Sequence, residues 1–235
     1  TKLLRAAVQF IVTPILLILL GAEQYGLIAV SMTIQLVFSM LDQAISPVVT
    51  REVGVLANDK EQVDKLWRLF HSFERLTLLI TVLIGLTIVG IAPLVAQNWL
   101  NVKTLNTDEL TLTIRLIAIV ITCQWPMLFY SAFFVGLARQ AVMALITFIS
   151  SLTQIAIVLP LLYFWNSDID IYFIVQILVF ALTSLAMRHH VIKALPPKEK
   201  NVQFDIDLLK KLKSFAAGTF SVGITTVLLT QADKL

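Results

Sequence analysis

An all-α, polytopic transmembrane helical bundle is the fold this sequence predicts, and three observations predict it. Hydrophobic residues make up 58% of the 235-residue chain and charged residues only 14%, against about a quarter charged in an ordinary soluble domain; the mean hydropathy is +0.87. The apolar residues come in a series of runs, each close to the roughly 20 residues a helix needs to span about 30 Å of hydrocarbon. The basic residues fall in alternate gaps between those runs, as short cytoplasmic loops require.

The first run, residues 6–20, leads into further runs and not into a small-residue cleavage site, so it reads as a span and not a removable signal peptide. Runs follow at 25–46, 76–95, 112–137, 141–165 and 171–187, and a seventh begins near Phe215. The chain starts without Met and stops inside this seventh run, so a piece of a longer protein is expected. Pro14, Pro93, Pro126 and Pro160 lie inside runs, where a missing amide permits a bend.

Orientation follows from the loops. Lys2 and Arg5 precede the first run, Arg51, Lys60, Lys65, Arg68 and Arg75 follow the second, Arg139 follows the fourth, and a basic stretch from Arg188 to Lys213 follows the sixth. The other gaps hold Glu23, then Lys103 with Asp108 and Glu109, then Asp168 and Asp170. The amino terminus is therefore expected in the cytoplasm. The net charge of +3 is a membrane-sidedness pattern and not a nucleic-acid footprint, so no nucleic-acid partner is expected. Cys123 is the sole cysteine and can form no internal disulfide.

Two connections carry helical periodicity. In DKEQVDKLWRLFHSFERL the apolar Val63, Leu66, Trp67, Phe70 and Phe73 repeat at three- and four-residue spacing, which predicts an amphipathic cytoplasmic helix at about 59–75 lying on the membrane surface or meeting a cytoplasmic partner. FDIDLLKKLKSF, with Leu208, Leu212 and Phe215 on one face, reads the same way.

Soluble-enzyme chemistry is hard to find. Asp-Ile-Asp occurs at 168–170 and 205–207, and such a pair can hold a divalent metal; both sit at helix starts, where carboxylates cap free amides. His189 and His190 are adjacent, with no third ligand at helical spacing. There is no P-loop, nucleophile elbow or H-E-x-x-H, and neither a metal nor a cofactor is expected.

The informative chemistry is polar residues inside apolar runs, since a charge at the bilayer centre costs at least about 2.5 kcal/mol and usually faces a partner or a wet cavity. Asp42 lies late in the second run, Arg115 early in the fourth, and Asp233 with Lys234 well along the seventh. Gln9, Gln35, Gln124, Gln154 and Gln176 add neutral hydrogen-bonding groups, suited to bonds between helices. Arg115 reads either as a cavity cation or as a side chain snorkelling to headgroups. Asp42 reads either as a coupling carboxylate or as a partner of Arg51.

Four stretches in order, LGAEQYGLIAV, LDQAISPVVTREV, FFVGLARQ and KLKSFAAGTFSVGITTVLLTQADKL, resemble polysaccharide flippases of the Wzx type, in the multidrug/oligosaccharidyl-lipid/polysaccharide exporter superfamily. The resemblance implies two pseudo-symmetric lobes of six helices around a cavity. Residues 1–187 would be the first lobe, 188–214 a basic inter-lobe linker, and 215–235 the start of the second lobe. It further implies a transporter, not an enzyme, that carries undecaprenyl-diphosphate-linked oligosaccharide across the bacterial inner membrane, for O-antigen or another surface polysaccharide. A polysaccharide polymerase and a chain-length regulator would be partners. The family's Gln-x-Asp-Lys group of the seventh span matches Gln231, Asp233 and Lys234; with Arg115 and Gln124 they form the expected substrate pathway, and Asp42 and Asp233 are the expected coupling carboxylates. Competing readings are a cation-coupled multidrug exporter of the same superfamily, a membrane-embedded polysaccharide polymerase or ligase, and a non-transporting scaffold.

Overall fold

The computed structural model describes residues 2–98, 106–164 and 168–197. The described chain is helical apart from short connections: α1 (Lys2–Ala57), a 3-10 turn (Lys60–Gln62), α2 (Val63–Asn98), α3 (Thr107–Gly136), α4 (Gln140–Phe164) and α5 (Ile169–Ala194). The expected all-α membrane architecture is present, with five helices among the described residues long and apolar enough to cross a bilayer. The seventh run lies outside the described residues.

The first two runs are the two limbs of α1, joined at Gly21, whose φ of 79° and ψ of 168° break the helix. A side chain there would meet the left-handed backbone penalty that glycine escapes. Thr13 and Gln35 line one cavity, yet an unbroken helix would hold them roughly 33 Å apart. The limbs therefore bend sharply back on each other at Gly21. Pro14 and Pro47 are carried within the limbs.

The amphipathic segment is not a separate surface helix. It is continuous with the third run as the single helix α2, and its apolar stripe is turned into the protein. Leu66, Phe70 and Phe73 are buried, and Phe70 meets the rings of Phe129, Tyr130 and Phe133 on α3. The three- and four-residue spacing is real, but helix α3, not the membrane surface, covers it. Likewise α5 continues past Met187 to Ala194, so the linker's expected first residues are helical.

Helix starts are capped as the local sequence dictates. The Asn106 side chain accepts from the Glu109 amide at 2.9 Å while Glu109 accepts from the Asn106 amide at 3.1 Å, a reciprocal capping box. Asp168 accepts from the Asp170 amide at 3.2 Å, and Asp170 accepts from Thr113 Oγ1 of α3 at 2.8 Å. The Asp-Ile-Asp pair at 168–170 is thus a cap and an interhelical tether. The pair at 205–207 lies outside the described residues.

Packing is organised around α3, which meets α2, α5 and α1 most extensively. Half of its most apolar window is buried, against 11% for α4, which lies at the periphery. Two apolar cores mark the ends of the bundle. One gathers the Gly21 bend, the end of α2, the starts of α3 and α5 and the end of α4, around Ile28, Ala92, Ile117, Leu162 and Phe173. The other gathers the end of α1, the start of α2 and the ends of α3 and α5, around Val53, Phe70, Phe133 and Met187. Arg51, Arg68, Arg139 and Lys193 belong by position to this second, basic end, and Glu23, Asp108 and Glu109 to the first. Gly136 makes the crossing of α1 and α3 possible, because a Cβ there would lie 2.7 Å from Val53 Cβ and 2.8 Å from the Thr50 carbonyl.

The exposed surface is that of a protein made for lipid. Leu79, Leu83 and Leu86 on α2, Leu145 and Ile149 on α4, and Leu178, Leu182 and Leu185 on α5 are all exposed. Hydroxyls inside the helices satisfy themselves locally: Thr81, Thr87 and Ser151 each donate to the carbonyl four residues back, as hydrocarbon requires.

A candidate polar cavity between α1, α4 and α5

Three helical stripes converge on one cavity of about 220 Å³. From the second limb of α1 come Tyr25, Ile28, Met32 and Gln35, at steps of three and four residues that keep them on one face. From α4 come Ser151, Gln154 and Val158, and from α5 Tyr172, Gln176 and Phe180, at the same kind of spacing. The first limb of α1 closes the remaining side with Val12, Thr13 and Leu16. The bend at Gly21 is what allows both limbs of α1 to face the same space.

Its polar groups are neutral. Among the described residues, those lining the cavity carry no formal charge; they offer amides, phenols and hydroxyls. Gln35 Nε2 donates to Ser31 Oγ at 3.0 Å, which anchors that amide to its own helix. Gln154 is a side-chain partner of the Tyr172 hydroxyl. Gln176 is only 7% exposed, and its Oε1 accepts no hydrogen bond. Leaving such an acceptor unpaired costs about 1 to 3 kcal/mol, and the oxygen is itself closed off from the cavity in this conformation.

The residues singled out by sequence divide. Gln35, Gln154 and Gln176 come together here. Arg115 does not line the cavity; it is exposed on α3, beside Leu112 and Ile119 on the same face. Gln124 is half-buried farther along α3, also outside the cavity lining. Asp42 belongs to the second limb of α1, with its side chain outside the described residues, as is that of Gln9. Gln231, Asp233 and Lys234 lie outside the described residues.

Sequence reasoning missed two features. Tyr25, Tyr172 and Ser151 carried no signal, since tyrosine is ordinary near membrane interfaces and serine hydroxyls usually bond their own helix. It also missed an ionic cluster around a buried carboxylate at the basic end. Glu74 of α2, 6% exposed, accepts from Arg188 Nε of α5 at 2.8 Å and from the Tyr130 hydroxyl of α3 at 2.9 Å. His71 Nδ1 lies 3.9 Å from the other carboxylate oxygen. Beside it Trp67 stacks on His71 and donates through Nε1 to the Pro196 carbonyl at 2.9 Å. The available signal was Glu74 itself, which lies one helical turn beyond Phe70 on the apolar stripe of α2.

No curated protein and no solved structure matches the chain. The family model described as "Polysaccharide biosynthesis protein" matches residues 1–235, and the chain belongs to that family.

Proposed function

We propose that the chain is part of a flippase that moves an undecaprenyl-diphosphate-linked oligosaccharide from the cytoplasmic to the outer face of a bacterial inner membrane, with its amino terminus in the cytoplasm. The observation that carries this reading is the cavity between α1, α4 and α5, whose lining sets uncharged polar groups among apolar ones inside a bundle with an apolar exterior. Membership of a polysaccharide biosynthesis family supports it.

The physical task suits the parts. A glycosylated diphosphate cannot cross hydrocarbon unaided, because its hydroxyls and charges would lose water without compensation. Its polyprenyl tail can remain in lipid throughout. The protein needs only to shelter the head, and to open to one side and then the other by rocking of two lobes. Arg115, exposed on α3, and Lys234 are the cations offered to the diphosphate. Asp42 and Asp233 are the carboxylates offered for coupling to an ion gradient. No bond is made or broken in this cycle, so the protein acts as a transporter and not as an enzyme; a polymerase and a chain-length regulator would take over its cargo.

Depleting the whole protein in its host tests the reading. Lipid-linked oligosaccharide should accumulate on the cytoplasmic face while its assembly continues. Normal outward delivery, with a change only in drug tolerance, refutes it in favour of a multidrug exporter.

A further inference from the structure

We infer that the cavity between α1, α4 and α5 is a subsite for an uncharged sugar ring of the cargo, separate from whatever holds the diphosphate. The inference rests on the flippase reading and adds to it which part of the substrate this cavity takes.

The chemistry of the lining decides the class of ligand. A diphosphate needs cations or a cluster of free amide N–H groups to replace its hydration, and the described lining has no charged side chain. A sugar ring presents hydroxyls that both donate and accept, spaced around apolar C–H faces. The cavity presents matching groups: amides at Gln35, Gln154 and Gln176, a hydroxyl at Ser151, and the phenols of Tyr25 and Tyr172. A side-chain amide both donates and accepts, so it serves sugar hydroxyls without fixing their orientation in advance. The tyrosine rings add flat apolar surface with a polar tip, which suits the C–H face of a pyranose.

Gln176 supplies the second, independent observation. Its Oε1 is buried and without a hydrogen bond in a side chain that lines the cavity. That oxygen is closed off in this conformation, and a turn of the terminal amide would present it to a guest that donates, which a hydroxyl does and a diphosphate at neutral pH does not. The volume is consistent: about 220 Å³ equals the liquid share of roughly seven waters at about 30 Å³ each. Several such waters can be exchanged for the hydroxyls of one ring with their hydrogen bonds reproduced. The apolar remainder of the lining, Val12, Leu16, Ile28 and Val158, gives a charged group nothing and a sugar's carbon skeleton a dry wall.

The test uses the full-length protein in lipid nanodiscs and two probes, undecaprenyl diphosphate alone and the lipid-linked oligosaccharide extracted from the host. The wild-type protein should bind the glycosylated lipid more tightly than the bare one. The double variant Gln154→Leu/Gln176→Leu should weaken binding of the glycosylated lipid about tenfold or more, by the loss of two hydrogen bonds, and leave the bare lipid unchanged. Equal losses for both probes, or no loss for either, overturn the subsite alone. A wild-type protein that binds neither probe overturns the flippase reading together with the subsite. If the double variant does not accumulate in the membrane, Tyr172→Phe keeps the ring and removes only the hydroxyl. It should lower affinity for the glycosylated lipid alone, by about threefold to tenfold, and an unchanged affinity overturns the subsite.

Discussion

Arg188 and Glu74, 114 positions apart in sequence, meet with Arg188 Nε donating to Glu74 Oε1 at 2.8 Å. The carboxylate side chain is 8% exposed and the guanidinium side chain 44%. The pair therefore joins the end of α5 to the start of α2 with one partner dry and the other partly in solvent, and Tyr130 fixes the same carboxylate to α3.

Removing one side of that pair should be costly. Stripping a partner from a fully buried ion pair costs about 3 to 5 kcal/mol, and the exposure of Arg188 lowers the expectation for Arg188→Ala to about 2 kcal/mol. Glu74→Gln, which still accepts from Tyr130, should cost about 1 kcal/mol. Chemical unfolding of the full-length protein in detergent, followed by far-ultraviolet circular dichroism, measures both. Equal stability of Arg188→Ala and wild type would show that the contact contributes nothing.

Gln176→Leu should behave in the opposite way. It removes a buried acceptor that has no partner, so stability should stay level or rise by up to about 1 kcal/mol. Export of polysaccharide to the cell surface should nevertheless fall. A variant that is both destabilised and inactive would place Gln176 among packing residues.

The tight crossing of α1 and α3 gives a third expectation. Gly136→Ala puts a methyl group against Val53 and the Thr50 carbonyl, and should strain the 3.2 Å bond from Thr50 Oγ1 to the Ala132 carbonyl. A loss of about 1 to 3 kcal/mol follows. Gly90→Ala is the control: no atom lies within 4 Å of its added Cβ, and a helical alanine should gain about 0.5 to 1 kcal/mol. If thermal unfolding shifts the two variants alike, the crossing is looser than described.

Gly21→Ala should also lose stability, by about 1 to 2 kcal/mol, because φ is 79° there and an L-residue pays a steric penalty in that region. The space around it is open, so the whole effect is backbone strain. Asparagine, whose tolerance of positive φ belongs to the αL basin and not to a ψ of 168°, should lose about as much as alanine in the same thermal measurement.

Run length and hydropathy made the bundle legible in the sequence, because a helix in lipid must satisfy every backbone group within itself and must be long enough to cross. The glutamines were legible for the same reason: an amide inside an apolar run has to find a partner. Their meeting point was not, since it depends on how Gly21 bends α1 and on which faces of α4 and α5 turn inward. Nor was the destination of the apolar stripe at Leu66, Phe70 and Phe73. Periodicity says that a face is covered, and lipid or another helix satisfies it equally well. Glu74 escaped notice because its nearest basic neighbours in sequence suggested a solvated flank, whereas its partner comes from a different helix.

The bond from Trp67 Nε1 to the Pro196 carbonyl has a mechanical consequence. Pro196 follows directly on the last turn of α5, and the indole that grips it is itself 8% exposed and lies edge-on to Phe70. The residue just past the tip of α5 is thereby tied to the aromatic cluster shared by α2 and α3, and not only to its own helix. One hydrogen bond thus makes the far end of α5 answer to the core at the start of α2.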